Sequence, residues 1–352
     1  MAFKKGALAA AAGLMALALG TASGRAEDLP QTHLQVIGSA SFSSLYKALE
    51  VPFWNDIAKA SNGKVTAKLL SQTESGMKTS AIARLLGSGT LQVAWDDLGS
   101  VAGDDPYFEG LDLAGVIPDM ATFRKAAEAY KPVMAKQFAK HNIKLVALLP
   151  FPEQVLFCRG KISSLDDLKG KKIRASTRSE SDFIHAAGAL PVTLGFPDVI
   201  PALQTGVADC AVTGTFPGNT AHWYEVTNTL YTLPFGSVMG FYGFNMPTWN
   251  KLDPKVQAFF EKEFADLEQR AWALAEEQTQ DGINCDTGVG ECKHGTKGHM
   301  TLAKPSPADF ERAKELAAKV VLPDWASRCG KACVADWNAT VGKVAGVTAQ
   351  AH

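Results

Sequence analysis

Residues 168–214 read LKGKKIRASTRSESDFIHAAGALPVTLGFPDVIPALQTGVADCAVTG, and the order of apolar segments here indicates the fold class. Short apolar runs alternate here with segments whose apolar residues recur at helical spacing. The predicted strands are residues 172–175, 191–194 and 209–214, and the predicted helices between them are residues 180–189 and 198–204. Strands that alternate with helices in this order are typical of a parallel sheet with helices on its faces.

The same order occurs earlier in the chain, so the pattern is present twice. The predicted strands are residues 34–39, 64–70 and 91–95, and the predicted helices are residues 45–57 and 78–86. A chain of 352 residues, 46% of them hydrophobic, is long enough to bury two cores. The sequence therefore predicts two α/β lobes.

The lobe boundaries follow from the segments between and after the two repeats. Pro150-Phe151-Pro152 predicts the exit from the first lobe, and an apolar strand at residues 241–246 predicts a return to it. We expect one lobe to combine residues 27–150 and 236–265, and the other to combine residues 151–235 and 266–352.

The clearest helix begins after Asp253, a good N-cap residue, with Pro254 in the first helical position. Its apolar pattern continues to Gly282. A helix of nearly thirty residues is roughly 45 Å long, which is longer than one small lobe requires. We expect it to span both lobes.

The N-terminus has the pattern of a secretory signal peptide. Lys4 and Lys5 precede an apolar run at residues 6–20, which is too short to cross a bilayer, and small residues lead to Ala26. We expect residues 1–26 to be removed and the mature protein to be exported to the periplasm without being embedded in a membrane. The chain has 35 Lys and Arg and 36 Asp and Glu; without these 26 residues, which include three basic side chains and no acid, its net charge is −4. No basic stripe suggests a nucleic-acid partner.

Six cysteines in an exported chain predict disulfide bonds. The simplest pairing joins Cys285 to Cys292 and Cys329 to Cys333, although crossed pairings of these four residues are equally possible. A pairing of Cys158 with Cys210 is open.

An alternative reading makes Cys285, Cys292, His294 and His299 a zinc site in a periplasmic metal-binding protein or enzyme. Disulfides are favoured because the chain is exported. The chain has no P-loop, no G-x-S-x-G and no H-E-x-x-H, so we predict neither an enzyme nor a cofactor or metal.

Four segments resemble the solute-binding proteins of tripartite ATP-independent periplasmic (TRAP) transporters, of the DctP type. They are LKGKKIR at 168–174, GALPV at 188–192 leading to Phe196, PALQTGVAD at 201–209 and WYEV at 223–226. Their order and spacing agree with that family, and weaker matches extend over nearly the whole mature chain. The resemblance implies an α/β, two-lobed periplasmic-binding-protein fold, with a ligand cleft between the lobes and a long helix spanning both.

Arg174 is the residue that the resemblance assigns to the ligand carboxylate. It ends a predicted parallel strand, and ligands of open α/β sheets bind beyond the carboxyl ends of strands. The guanidinium group can donate two parallel hydrogen bonds to the two oxygens of a carboxylate, which lysine cannot reproduce.

The resemblance implies further cleft residues. Phe196 matches an aromatic residue that packs on the ligand, and Thr213 matches a polar residue at a strand end. The first-lobe candidates are Asp97, Trp95 and Ser39, and Thr177 is a further candidate in the second lobe. Glu153 falls near the position of a second arginine in the receptors for acidic sugars, which argues against a doubly charged ligand.

We therefore predict a periplasmic TRAP receptor that captures a small organic carboxylate, of the monocarboxylate class, and delivers it to the membrane subunits. A ligand-binding protein that feeds a sensor is the other alternative.

Overall fold

The computed structural model describes residues 1–2 and 29–351. All but the first two residues of the predicted signal peptide lie outside the described residues. None of the helices that the structure describes has both the length and the apolar character of a membrane span.

The described chain forms eleven strands in two sheets. The strands are β1 (Thr32–Gly38), β2 (Val65–Ser71), β3 (Val93–Asp97), β4 (Ile143–Pro150), β5 (Gln154–Cys158), β6 (Lys172–Ala175), β7 (Leu190–Thr193), β8 (Cys210–Gly214), β9 (Thr229–Gly236), β10 (Met239–Asn245) and β11 (Thr301–Ala303).

The α-helices cover the faces of these sheets. They are α1 (Val51–Ala60), α2 (Gln72–Ser75), α3 (Thr79–Ser88), α4 (Leu98–Ala102), α5 (Met120–Lys140), α6 (Arg178–Ala186), α7 (Val199–Thr205), α8 (Thr215–Thr220), α9 (Met246–Lys251), α10 (Pro254–Thr287), α11 (Pro307–Leu316), α12 (Leu322–Trp337) and α13 (Lys343–Ala345).

The two sheets repeat one topology. The first sheet has the order β2-β1-β3-β10-β4, and the second has the order β11-β9-β5-β8-β6-β7. In the first, β1 is parallel to β2 and β3; in the second, β6 is parallel to β7 and β8. Each sheet with its surrounding helices is called a lobe below, and the two predicted α/β lobes are confirmed.

Each sheet also contains one strand that runs antiparallel to both of its neighbours. The strand β10 runs between β3 and β4, and β5 runs between β8 and β9. The return strand was predicted, but β5 was not, because the sequence around it was interpreted only as an exit from the first lobe. The sheets are therefore mixed, with a parallel half that matches the sequence pattern.

The long helix α10 packs against both lobes, as predicted. Asp253 caps it by accepting a hydrogen bond from the Lys255 amide at 2.8 Å. Phe260 and Phe264 lie in the core of the first lobe. A Cβ atom on Gly282 would lie 2.4 Å from the Phe216 amide nitrogen in α8 of the second lobe, so only glycine permits this close contact. The helix continues five residues beyond its predicted end, to Thr287.

All six cysteines form disulfides. The short-range pairs Cys285–Cys292 and Cys329–Cys333 are the simplest predicted connectivity, and Cys158 is bonded to Cys210. The last pair joins directly opposite residues of β5 and β8. The unpredicted strand β5 is thus covalently attached to the second sheet.

Candidate functional site

The carboxyl ends of the parallel strands face each other across the space between the lobes. The strand β3 of the first lobe leads into α4, and β6 of the second lobe leads into α6. A Cβ atom on Gly99 of α4 would lie 3.8 Å from the Thr177 Cγ2 atom, which precedes α6. The two edges are therefore in close contact at this point, where ligands of α/β sheets bind.

Arg174 lies at this edge with its side chain held across three strand ends. The residue is 4% exposed. Its Nε donates to the Leu194 carbonyl after β7 at 3.0 Å, and its Nη1 donates to the Val212 carbonyl in β8 at 2.8 Å. Burial lowers its pKa, and the Glu180 carboxylate opposes that shift. The second terminal nitrogen, Nη2, has no protein acceptor, so the guanidinium group is fixed in place with donor capacity left over.

Thr213 and Phe196 border the same face of the second sheet. Arg174 is paired in register with Ala211, and side chains two residues apart on a strand share a face, so Thr213 lies on the face of Arg174. Thr213 is 7% exposed, and its hydroxyl group makes no hydrogen bond. Phe196 is half-buried and stacks on Trp223 with ring centroids 5.2 Å apart. One face of the Phe196 ring is therefore covered by Trp223.

The first lobe brings Asp97 and Trp95 to the opposite edge. Asp97 caps α4 by accepting a hydrogen bond from the Ser100 amide at 2.8 Å, and removal from water raises its pKa. The Trp95 ring packs near Phe151, and its Nε1 donor is buried without a partner. The tryptophan is thus part of the core, with one polar atom left unsatisfied.

Ser39 and Thr177 lie just after strand ends, and both make hydrogen bonds within their own lobe. The Ser39 amide donates to Glu50 Oε2 at 2.8 Å, and its hydroxyl group is buried without a partner. The Thr177 hydroxyl accepts from the Glu180 amide at 3.2 Å, so it caps α6. Thr177 therefore has a structural role in helix capping beside any contact with a ligand.

Glu153 makes no hydrogen bond or ion pair with Arg174. Burial raises its pKa to about 7, and the negative charge of Asp119 in the first lobe adds to that shift. Its backbone amide donates to Thr279 of α10 at 3.0 Å. Glu153 therefore supplies an acid and no cation at this position.

Three acids that the sequence analysis missed lie near these residues. Glu50 is fully buried beside Ser39, and burial raises its pKa to about 7. Asp112 and Glu180 are 6% and 0% exposed. Burial raises the pKa of each, and for Asp112 the Glu180 charge adds to the shift.

A signal for two of these acids is present in the sequence. Glu180 stands three residues after Thr177, which is the spacing of a capping box, and the structure has that capping box. Glu50 interrupts the apolar face of the first helix. Asp112 lies in an irregular segment, where no periodicity marks it.

The zinc alternative is wrong, because Cys285 and Cys292 are bonded to each other and cannot act as thiolate ligands. Asp281 lies close to both sulfur atoms. Its oxygens accept hydrogen bonds from the Lys293 and His294 amides at 2.7 and 3.0 Å. These contacts hold the loop after α10 in place.

The chain matches one protein family over most of its length. The model of the bacterial extracellular solute-binding proteins of family 7, DctP, matches residues 38–322.

Curated relatives cover parts of the chain. The ectoine-binding periplasmic protein TeaA of Halomonas elongata is 29% identical over 126 residues, which are 36% of this chain and 36% of that protein. The C4-dicarboxylate-binding periplasmic protein DctP of Rhodobacter capsulatus is 27% identical over 225 residues, 61% of this chain and 66% of that protein. The chain thus spans between about a third and two thirds of these relatives.

Solved structures show the same fold over nearly the whole chain. A Bordetella pertussis extracytoplasmic solute receptor binding pyroglutamic acid has a TM-score of 0.77 and 22% identity, covering 90% of this chain and 99% of its own. A TRAP periplasmic solute-binding protein from Desulfovibrio salexigens with bound orotic acid has a TM-score of 0.77 and 18% identity, covering 89% and 100%.

Proposed function

Because the chain belongs to family 7 of the bacterial extracellular solute-binding proteins, the DctP-type solute receptors of TRAP transporters, we propose that it captures a small organic monocarboxylate. The ligand would then be delivered to the membrane subunits of the transporter. Proteins of this family are receptors and not enzymes. The observation that carries the proposal is the buried Arg174 guanidinium at the interlobe edge, with Nη2 free to donate.

The geometry of Arg174 suits a carboxylate. Two backbone carbonyls hold the guanidinium plane, so little side-chain entropy is lost when a ligand binds. A carboxylate is the group that matches the remaining donors, and an ion pair shielded from water is stronger than one at the surface. Thr213 would supply a hydroxyl donor on the same face, and Phe196 an aromatic surface.

The charge around the cleft supports a monocarboxylate. Within residues 29–351, Arg174 is the only lysine or arginine that is buried. A second ligand carboxylate would need a second cation, or it would lose its hydration without compensation. Near the position where the receptors for acidic sugars have a second arginine, this chain has the acid Glu153.

We propose that the two lobes close around the ligand. The chain crosses between the two sheets from β4 to β5 and again from β9 to β10, and α10 packs against both lobes. These connections would act as the hinge, and closure would bury the ion pair at Arg174.

Replacing Arg174 by alanine tests the proposal. In calorimetric titrations with the carboxylate that binds best in a thermal-shift screen, we expect Arg174→Ala to weaken binding at least tenfold, or by about 1.4 kcal/mol or more. Arg174→Lys should recover only part of the affinity, because lysine lacks the planar pair of donors.

Arg178→Ala is the matched control, since the Arg178 side chain lies four residues further on and is 58% exposed. It should bind as the unaltered protein does. Equal affinity of the Arg174→Ala variant for its ligand would rule out Arg174 as the carboxylate-binding residue.

A further inference from the structure

Three acidic side chains converge on the interlobe space beside Arg174. A Cβ atom on Gly236 would lie 2.7 Å from Asp112 Oδ1 and 3.8 Å from Glu180 Oε1, so these oxygens are within about 6.5 Å of each other, the sum of the two distances. The negative charges of Glu180 and Asp97 raise the pKa of Asp112 beyond the effect of burial. We call Asp97, Asp112 and Glu180 the interlobe acids.

The acids come from both lobes. Asp97 ends β3 of the first lobe, and Asp112 lies in the segment that leads to α5. Glu180 lies in the first turn of α6 in the second lobe. Lobe closure therefore brings like charges together. Their repulsion favours protonation of the acids, whereas a positive charge placed among them would keep them ionised.

Two charged side chains in this region each have a polar atom without a partner in the protein. Glu180 is 0% exposed; its Oε2 accepts hydrogen bonds from the Ser176 amide and hydroxyl at 2.6 and 2.8 Å, but its Oε1 is buried and unpartnered. Arg174 Nη2 is the other such atom, and the charges of Arg174 and Glu180 interact with each other. One unsatisfied acceptor thus lies near one unsatisfied donor, and a ligand that satisfies both must offer an acceptor and a donor.

Arg174 is outnumbered by the interlobe acids. An anionic ligand bound at Arg174 would add a further negative charge to three carboxyl groups and one guanidinium group. Burial of such an excess is costly unless the acids take up protons or a cation accompanies them, and a ligand that carries its own cation removes this cost without proton uptake.

A bare metal ion fits this arrangement poorly. Ligand oxygens of one ion lie within a few ångströms of each other. In the described part of the chain, three acidic, histidine or cysteine side chains converge this closely only at Asp281, Cys285 and Cys292, and the interlobe acids do not. The wider spacing suits an organic cation, whose N–H groups or alkylated nitrogen fill more space.

We propose that the ligand is zwitterionic: a small monocarboxylate that carries an ammonium, quaternary ammonium or amidinium group. Its carboxylate binds Arg174, and its cationic group lies against Glu180 Oε1 and Asp112. The inference rests on the proposed function and specifies the ligand class of the same site. Acidic side chains that face the ligand cation reject plain dicarboxylates by repulsion.

Matched probes that differ in charge but little in shape test this inference. Glycine betaine pairs with 3,3-dimethylbutanoate, which has carbon in place of the cationic nitrogen. Piperidine-2-carboxylate pairs with cyclohexanecarboxylate, and proline pairs with cyclopentanecarboxylate and pyroglutamate. These are titrated together with a wider library of amino, hydroxy, keto and dicarboxylic acids, by thermal shift and then by calorimetry. We expect the best ligand to be zwitterionic and to bind at least tenfold more tightly than its uncharged-ring or carbon counterpart.

Two isosteric variants locate the cation. Glu180→Gln and Asp112→Asn keep an oxygen for the Ser176 and Ser237 amides while removing the charge. Each should weaken binding of the zwitterion at least tenfold and leave binding of its anionic counterpart unchanged or improved. Asp56→Asn, at an exposed acid on α1, should change neither. A merely structural role would weaken both probes equally.

The outcomes separate the two proposals. Tight binding of monocarboxylates or dicarboxylates without a cation, lost in Arg174→Ala, would keep the proposed function and overturn the zwitterion inference. Binding of no carboxylate in the library would overturn both. Binding of zwitterions that Glu180→Gln and Asp112→Asn leave unchanged would also overturn the inference.

Discussion

At the scale of single residues, the burial and the pKa of a charged side chain depend on the groups packed around it. Arg174 is a surface-type residue in sequence, next to Lys171 and Lys172, and yet it is 4% exposed. Two backbone carbonyls replace the water that it loses, and they leave part of the guanidinium group for a ligand. Burial lowers the pKa of arginine and raises the pKa of an acid, because in both cases the charged form loses hydration.

Glu50 provides a prediction at this scale. Burial raises its pKa from an ordinary value of 4.5 to about 7. Between these two values the folded protein holds a proton that the unfolded chain has released, so the free energy of unfolding falls as the pH rises through this window. The full shift corresponds to about 3 kcal/mol.

Glu50→Gln should remove that dependence, because glutamine can still accept the Ser39 amide. Urea unfolding should show nearly equal stabilities of variant and unaltered protein at pH 5, and a variant that is more stable by about 3 kcal/mol at pH 8.5. Glu311→Gln, at an exposed acid on α11, is the control. A difference that does not change with pH would contradict the prediction.

Among the elements, β5 has a hydrogen-bonded strand on each side and a disulfide at its end. It lies between β8 and β9, both antiparallel to it, and Cys158 at its end is bonded to the opposite residue, Cys210. This disulfide closes a loop with a sequence separation of 52, whereas Cys285–Cys292 closes one of 7. A longer loop loses more entropy in the unfolded chain when it is closed.

The two disulfides should therefore differ in their contribution to stability. Loop-closure entropy alone predicts a cost of about 4 kcal/mol for the double variant Cys158→Ala/Cys210→Ala and about 2.5 kcal/mol for Cys285→Ala/Cys292→Ala. Chemical denaturation of both double variants measures which disulfide contributes more to the free energy of unfolding. A larger loss for the Cys285–Cys292 pair would show that the loop after α10, and not β5, depends more on its disulfide.

The whole molecule consists of two lobes whose strand ends nearly touch. Gly99 of α4 lies close to Thr177, with 3.8 Å between an added Cβ atom and Thr177 Cγ2. The absence of a side chain at Gly99 permits this approach. Closure of the lobes around a ligand would require the two strand ends to come this close.

A large side chain at position 99 should hold the lobes apart. We expect Gly99→Trp to weaken ligand binding at least tenfold with little change in the free energy of unfolding, because the position is exposed. Gly103→Trp is the matched control, since a Cβ atom there would meet no atom within 4 Å. Calorimetry measures affinity, and small-angle scattering measures the compaction that the ligand induces. Full compaction of Gly99→Trp would contradict the prediction.

The candidate site was only partly predictable from sequence. Arg174, at the end of a short strand, follows from the strand pattern and from the resemblance, and Asp97 ends a strand in the same way. Asp112 has no such signal, and Trp95 gives no hint that its indole nitrogen is buried without a partner. Their environments are set by residues far away in the chain.

The two α/β repeats and the long helix could be predicted from local sequence, because strand periodicity, helical periodicity and capping are properties of neighbouring residues. Three features required the folded structure: the sheet to which β5 belongs, the pairing of Cys158 with Cys210, and the approach of Asp112 to Glu180. These depend on the packing of segments distant in sequence, where the burial of apolar surface and the loss of water from charged groups are summed over the whole molecule.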